Sequence, residues 1–238
     1  MQQARLDFSV DVGHSMDFIV ISTVHKAVVC ADADSGVITT ISLTGGSVEH
    51  TCLAAEYCGM TDLVASEDSV FVATPASGVV VMSVSGSEVS GHLCDPDGPS
   101  VPTSMLVNSR RDGQLIVGYR HGLVVIFDVD TETVVCSLRG HSARINTLHL
   151  LSTGQLISAA DDQRGIIWND QQPADDVAME TGMWAQWQVR DDVSCYTLDN
   201  CRRLVYAGFS SGDVHVYDVD TGQSVSRVII IIIIIIIM

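Results

Sequence analysis

The sequence predicts an all-β fold: a β-propeller of four-stranded antiparallel blades, about five in this chain, making a partial, small or partner-completed ring. Three observations predict it. Val, Ile, Thr and Ser dominate the 238 residues, with 19 glycines among them, a composition of many short strands divided by turns. A two-residue turn recurs at Ser35-Gly36, Ser77-Gly78, His121-Gly122, Asp162-Gln163 and Ser211-Gly212, at spacings of 42, 44, 41 and 49 residues. The segments FDVDTETVV and YDVDTGQSV stand 90 residues apart, two periods of 45.

Each unit carries four strand patterns. An extra outer strand is expected over 4–12. The first unit, 13–56, holds Asp17–Ser22, Ala27–Ala31, Val37–Ser42 and Ser47–Leu53. The second, 57–98, holds Thr61–Ser66, Ser69–Thr74, Gly78–Val84 and Glu88–Cys94, then the loop DPDGPSVP. The third, 99–139, holds Thr103–Ser109, Gln114–Arg120, Leu123–Val129 and Thr133–Leu138. The fourth, 140–190, holds Arg144–Leu151, Gln155–Ala160 and Gly165–Trp168, then a less regular tail through Trp187. The fifth, 191–228, holds Val193–Leu198, Arg203–Gly208, Asp213–Asp218 and a strand from Ser224.

Residues 229–238 are nine isoleucines and Met238. A membrane helix needs about 20 apolar residues, so this is no span. Its first residues can finish the last strand. The rest would be an exposed apolar edge, a hazard for aggregation. It reads as a low-complexity terminus or artefact, with a partner-covered strand extension as the alternative.

Charge narrows the function classes. Twenty-nine acidic residues against 12 basic give a net −17. Such a surface repels phosphate, argues against nucleic acid and favours basic surfaces or peptides as partners. The seven cysteines, at 30, 52, 58, 94, 136, 195 and 201, include no Cys-x-x-Cys pair. Neither a disulfide framework nor a zinc site is signalled, and free thiols fit a reducing compartment. The start, MQQARLDFSV, lacks a secretory pattern. A cytoplasmic protein is expected, with the nucleus also open.

Gly140 to Asn169 is the most informative stretch. It opens with Gly-His and closes with Trp168 and a polar residue; Ser158 lies four residues before Asp162, and Asp162 six before Trp168. This segment resembles the WD-repeat family, whose units run from Gly-His to Trp-Asp, with Asn169 in place of the Asp. The resemblance implies a buried hydrogen-bond network of His141, Ser158, Asp162 and Trp168. Imidazole, hydroxyl, carboxylate and indole N–H each offer what the next lacks. A catalytic Ser-His-Asp arrangement uses the same residue types. That chemistry needs an exposed nucleophile on a sharp turn, whereas Ser158 lies inside an apolar strand pattern. The other units lack the full set: the first has His14 but Ser35 and Ile41 at the Asp and Trp positions, and the third has His121 at the Asp position.

Other constellations are weaker. Asp32/Asp34, Asp95/Asp97, Asp128/Asp130 and Asp218/Asp220 are pairs two apart, whereas calcium needs six to eight oxygens, so solvated turns explain them. His92 and Cys94 supply two soft ligands without companions. No catalytic residue, metal or cofactor is therefore expected. Partner-binding candidates are Arg110, Arg111, Arg202 and Arg203, in loops between first and second strands, where an acidic partner could dock. By the resemblance, the opposite rim adds Asp34, Ala76, Arg120, Asp161 and Ser210, with Asp17 and Arg144 beside it. The expected function is a non-catalytic protein–protein interaction scaffold or adaptor within a larger assembly, with a partner chain completing the ring if it is open. The alternative is a propeller enzyme with a metal or acid/base site in the central channel.

Overall fold

The computed structural model describes residues 15–22, 26–44, 47–52, 57–84, 89–151, 153–168, 183–188, 193–199, 203–209, 212–221 and 223–229. The expected strand at 4–12, Gly13-His14 and the isoleucines beyond Ile229 lie outside them, as do Arg202 and Ser210. The chain is all-β and forms five four-stranded antiparallel sheets, each a simple meander in sequence order. This is the blade topology of a β-propeller. The fold divides into two compact units, 1–94 and 95–238.

In the first unit, β1 (Phe18–Ser22), β2 (Ala27–Ala31), β3 (Val37–Ser42) and β4 (Val48–Cys52) form one blade. A second contains β5 (Asp62–Ala65), β6 (Ser69–Thr74), β7 (Gly78–Ser83) and β8 (Val89–Leu93). The blades pack through Val29, Ala31 and Ile38 of the first and Leu63, Val70, Val72, Val80 and Met82 of the second, with Phe18 and Val20 against the same core. Alternate residues Ile19 and Ile21 of β1 point the other way and are 60% and 64% exposed, the period of two that a strand imposes.

The second unit holds three blades. They comprise β9 (Pro102–Val107), β10 (Gln114–Tyr119), β11 (Val124–Asp128) and β12 (Thr133–Leu138); β13 (Ile145–Leu150), β14 (Leu156–Ala160), β15 (Arg164–Trp168) and β16 (Met183–Gln188); and β17 (Val193–Asp199), β18 (Leu204–Phe209), β19 (Asp213–Asp218) and β20 (Ser224–Ile229). The middle blade is covered on both faces. Leu148, Leu156, Ala160, Ile166 and Trp168 pack on Ile116, Val124 and Leu138. The alternate residues Ile157 and Ile167 pack on Val205, Ala207, Phe209 and Tyr217. A strand buried on both faces reads as an unbroken apolar run rather than an alternation, which is why LISAA and GIIW look as they do. Burying one such Ile contributes roughly 1.5–3 kcal/mol. The outer strand β12 is less covered, with Thr133 and Val134 exposed and only Leu138 buried.

Two features repeat beyond the strand count. The second turn residue after each second strand has positive φ: Gly36 (71°), Gly78 (73°), Gly122 (95°), Gln163 (63°) and Gly212 (86°). At Gly122 a Cβ would also stand 2.6 Å from the carbonyl oxygen of His141, so both backbone conformation and space demand glycine. The third-to-fourth strand pairing shifts register beside Phe127, Trp168 and Tyr217, and between Val81 and Met82. These bulges re-aim the side chain at the aromatic position.

Candidate functional site

The site begins in the connection from β12 to β13. Gly140 and His141 leave one blade and enter the next. A Cβ on Gly140 would lie 2.8 Å from the Trp168 ring, so glycine lets the connection run flat over the indole. The His141 side chain is 0% exposed and Ser158 is 0% exposed.

Four side chains close a chain of hydrogen bonds. His141 Nδ1 lies 3.0 Å from both Asp162 oxygens, and His141 Nε2 lies 2.8 Å from Ser158 Oγ. Trp168 Nε1–H donates to Ser158 Oγ over 2.8 Å. A carboxylate only accepts, so Nδ1 carries the imidazole proton; Nε2 then accepts from the Ser158 hydroxyl, whose oxygen accepts the indole N–H. Burial holds His141 below the ordinary histidine value, against the pull of the Asp162 charge. Burial alone would raise the Asp162 carboxyl, but the Ser142 amide, His141 and Arg164 outweigh it and leave it below the usual range. Neutral imidazole beside ionised carboxylate is the resulting state.

Arg164 completes the arrangement and was not among the residues singled out from sequence. Its Nη2 donates to Asp162 Oδ2 at 2.8 Å and to the Gly140 carbonyl at 2.7 Å. It thus clips the connection to the β14–β15 turn. Its position two residues after Asp162 was the available signal. The whole array joins Gly140 and His141, where the chain crosses between blades, to the second and third strands of one blade. Its nucleophile-like hydroxyl is sealed: Ser158 is wholly buried and bonded on both sides, so a Ser-His-Asp reaction has no access to substrate there.

The rim candidates fall as follows. In the second unit, Arg120, Arg144 and Asp161 are exposed. The Asp161 amide donates to the Arg144 carbonyl at 2.9 Å, and Asp161 Oδ1 accepts from Asn146 Nδ2 at 2.5 Å. Thr103, at the head of β9, donates to the Ile145 carbonyl at the head of β13 over 2.6 Å, so the ends of these two blades line up. Arg120 therefore shares an edge with Arg144 and Asp161. In the first unit, Asp17, Asp34 and Ala76 are exposed, and Asp17 accepts from the Ala33 amide at 2.8 Å.

At the other ends of these strands, Arg110 is exposed and Arg111 half-buried. Arg203 is occupied: its guanidinium meets Asp220 at 2.6 Å and Gln155 Oε1 at 3.0 Å. Its backbone, at φ 54°, holds the same loop position as Lys26 and Gly113, and each of the three carbonyls accepts an amide from just beyond the third strand. Arg203 is thus a structural loop residue as well as a charge. The solvated-turn reading of Asp95 also needs correction: its side chain is 1% exposed, because the turn folds it inward beneath His121.

Stacked four-stranded meanders with bulges at the aromatic position define a β-propeller protein. No protein-family model matches the chain, and no characterised protein matches it by sequence. Solved structures do. A chain in a crystal structure of the mitotic checkpoint complex is similar at TM-score 0.68 with 16% identity, over 96% of this chain and 76% of that one. The computationally designed Ika8 protein is similar at TM-score 0.66 with 17% identity, over 88% of this chain; the match spans only 60% of the designed chain. Among the described residues no helix is long and apolar enough to cross a membrane.

Proposed function

We propose that the chain is a WD-repeat propeller without catalytic chemistry, an intracellular scaffold that holds protein partners on its blade rims within a larger assembly. In this reading residues 1–228 form one propeller of five repeat units. One observation carries it: exposed Arg120, Arg144 and Asp161 stand together on an edge that buried strands hold rigid, while the buried polar array beneath is closed on itself. Charge on a rigid edge suits docking, because little ordering entropy is lost on binding. The mixed sign of these three charges suits a partner with complementary charge at each, which gives register and selectivity more than affinity.

The test is affinity purification with mass spectrometry, using the wild type and an Arg120→Glu/Arg144→Glu/Asp161→Arg variant. The wild type is expected to retain a defined set of proteins that the variant loses, with circular dichroism unchanged. An identical set on both would remove the rim from the reading, and no stable partner on either would remove the scaffold reading.

A further inference from the structure

Asp95, Asp97 and His121 stand on the same edge of the second unit but outside the array described above. Asp95 and Asp97 belong to the turn leading into β9, and His121 to the β10–β11 turn. One potential ligand atom from each falls within 4.8 Å of the others. Asp95 Oδ1 accepts the Asp97 amide at 2.8 Å. Asp95 Oδ2 is different: it is buried and has no hydrogen-bond partner among the described residues, yet it faces His121 Nδ1 at 3.5 Å. A carboxyl oxygen withdrawn from water and left unbonded is costly. The imidazole nitrogen before it lies 2.8 Å from Ser100 Oγ. Arg139 grips both Asp97 oxygens at 2.6 Å.

We propose that Asp95, Asp97 and His121 bind one divalent cation of the zinc class, cross-linking the turn before β9 to the β10–β11 turn. An imidazole nitrogen with two carboxylate oxygens is a donor set for zinc, which takes both at about 2.0–2.2 Å. Calcium would need six to eight oxygens, and two carboxylates fall well short. Ligands on one tetrahedral ion at such distances lie about 3.3 Å apart, so the group, within 4.8 Å now, closes by up to about 1.5 Å. Ser100 releases Nδ1, Asp97 turns one oxygen to the ion while Arg139 keeps the other, and water fills the remaining position. Asp95 Oδ2 gains the partner it lacks. Arg139 then becomes the outer residue that orients a ligating carboxylate.

The experiment is isothermal titration of zinc chloride into the purified chain near neutral pH, with calcium and magnesium chlorides in parallel. The expected result is one saturable zinc site and none for calcium or magnesium. His121→Gln and Asp95→Asn are each expected to weaken zinc by about tenfold or more. His121 is 42% exposed on its side chain, so its replacement leaves the core intact and circular dichroism checks that. Cys94→Ser is expected to bind as the wild type does. Absence of a saturable zinc site overturns the proposal; so does zinc binding that His121→Gln leaves unchanged or Cys94→Ser abolishes. None of these outcomes bears on partner docking.

Discussion

Trp168 and Ser158 are tied by a 2.8 Å hydrogen bond from indole to hydroxyl, ten residues apart in sequence and both wholly or nearly buried. The bond joins β14 to β15 across one blade and aligns Ser158 for His141. Ser158→Ala would strand the indole N–H and the imidazole Nε2 together in the interior. Each orphaned group costs about 1–3 kcal/mol, so the variant is expected to lose about 2–6 kcal/mol in urea unfolding. Adding Trp168→Phe removes one orphan, and the double variant should lose less than the two single changes combined.

Acidification should weaken the same array. The folded-state value of His141 lies below the ordinary value of 6.5, so the unfolded chain binds that proton first. Asp162 likewise lies below its ordinary 3.8. For both groups stability is full above the unfolded value and falls as pH drops toward the folded one. The melting temperature is therefore expected to fall as pH goes from 7.5 to 5.5, in the histidine window, and again below the ordinary carboxyl range. His141→Gln should flatten the first fall; an unchanged slope would show that another group sets it.

Gly122→Ala is expected to destabilise the protein by about 2 kcal/mol or more, since left-handed backbone alone costs roughly 1–2 kcal/mol for an L side chain. The added Cβ would also press on the His141 carbonyl, 2.6 Å away. Thermal melts would measure it.

The converse change tests the turn rule. Gln163 occupies the position that is glycine in the other four turns, with φ of 63°. Gln163→Gly should relieve that strain, less the roughly 0.5–1 kcal/mol that glycine loses in unfolded-state freedom. A net gain of about 0.5 kcal/mol is expected. A loss would mean that the Gln163 side chain contributes contacts worth more than the strain.

Much of the fold was legible because blades are local. Strands two to six residues from their turns carry their own period, and the recurring turn spacing marks five units without knowledge of any long-range contact. The strands from Ala27 to Ala31, Ser69 to Thr74 and Asp213 to Asp218 have the bounds expected from sequence. The offsets among His141, Ser158, Asp162 and Trp168 were legible for the same reason.

What the sequence by itself determined was the meander: β-branched runs, turn glycines where φ must be positive, and apolar continuity in strands covered on both faces. Tertiary structure decided which polar groups meet across those turns. Arg164 reaches back to Gly140, Arg203 is drawn to Asp220 and Gln155, and Asp95 turns in beneath His121. The register shifts beside Phe127, Trp168 and Tyr217 belong to the same set. The physical reason is range. A strand's period follows from its own backbone, whereas the partner of a charged or bulged residue depends on how separate turns come to rest against one another.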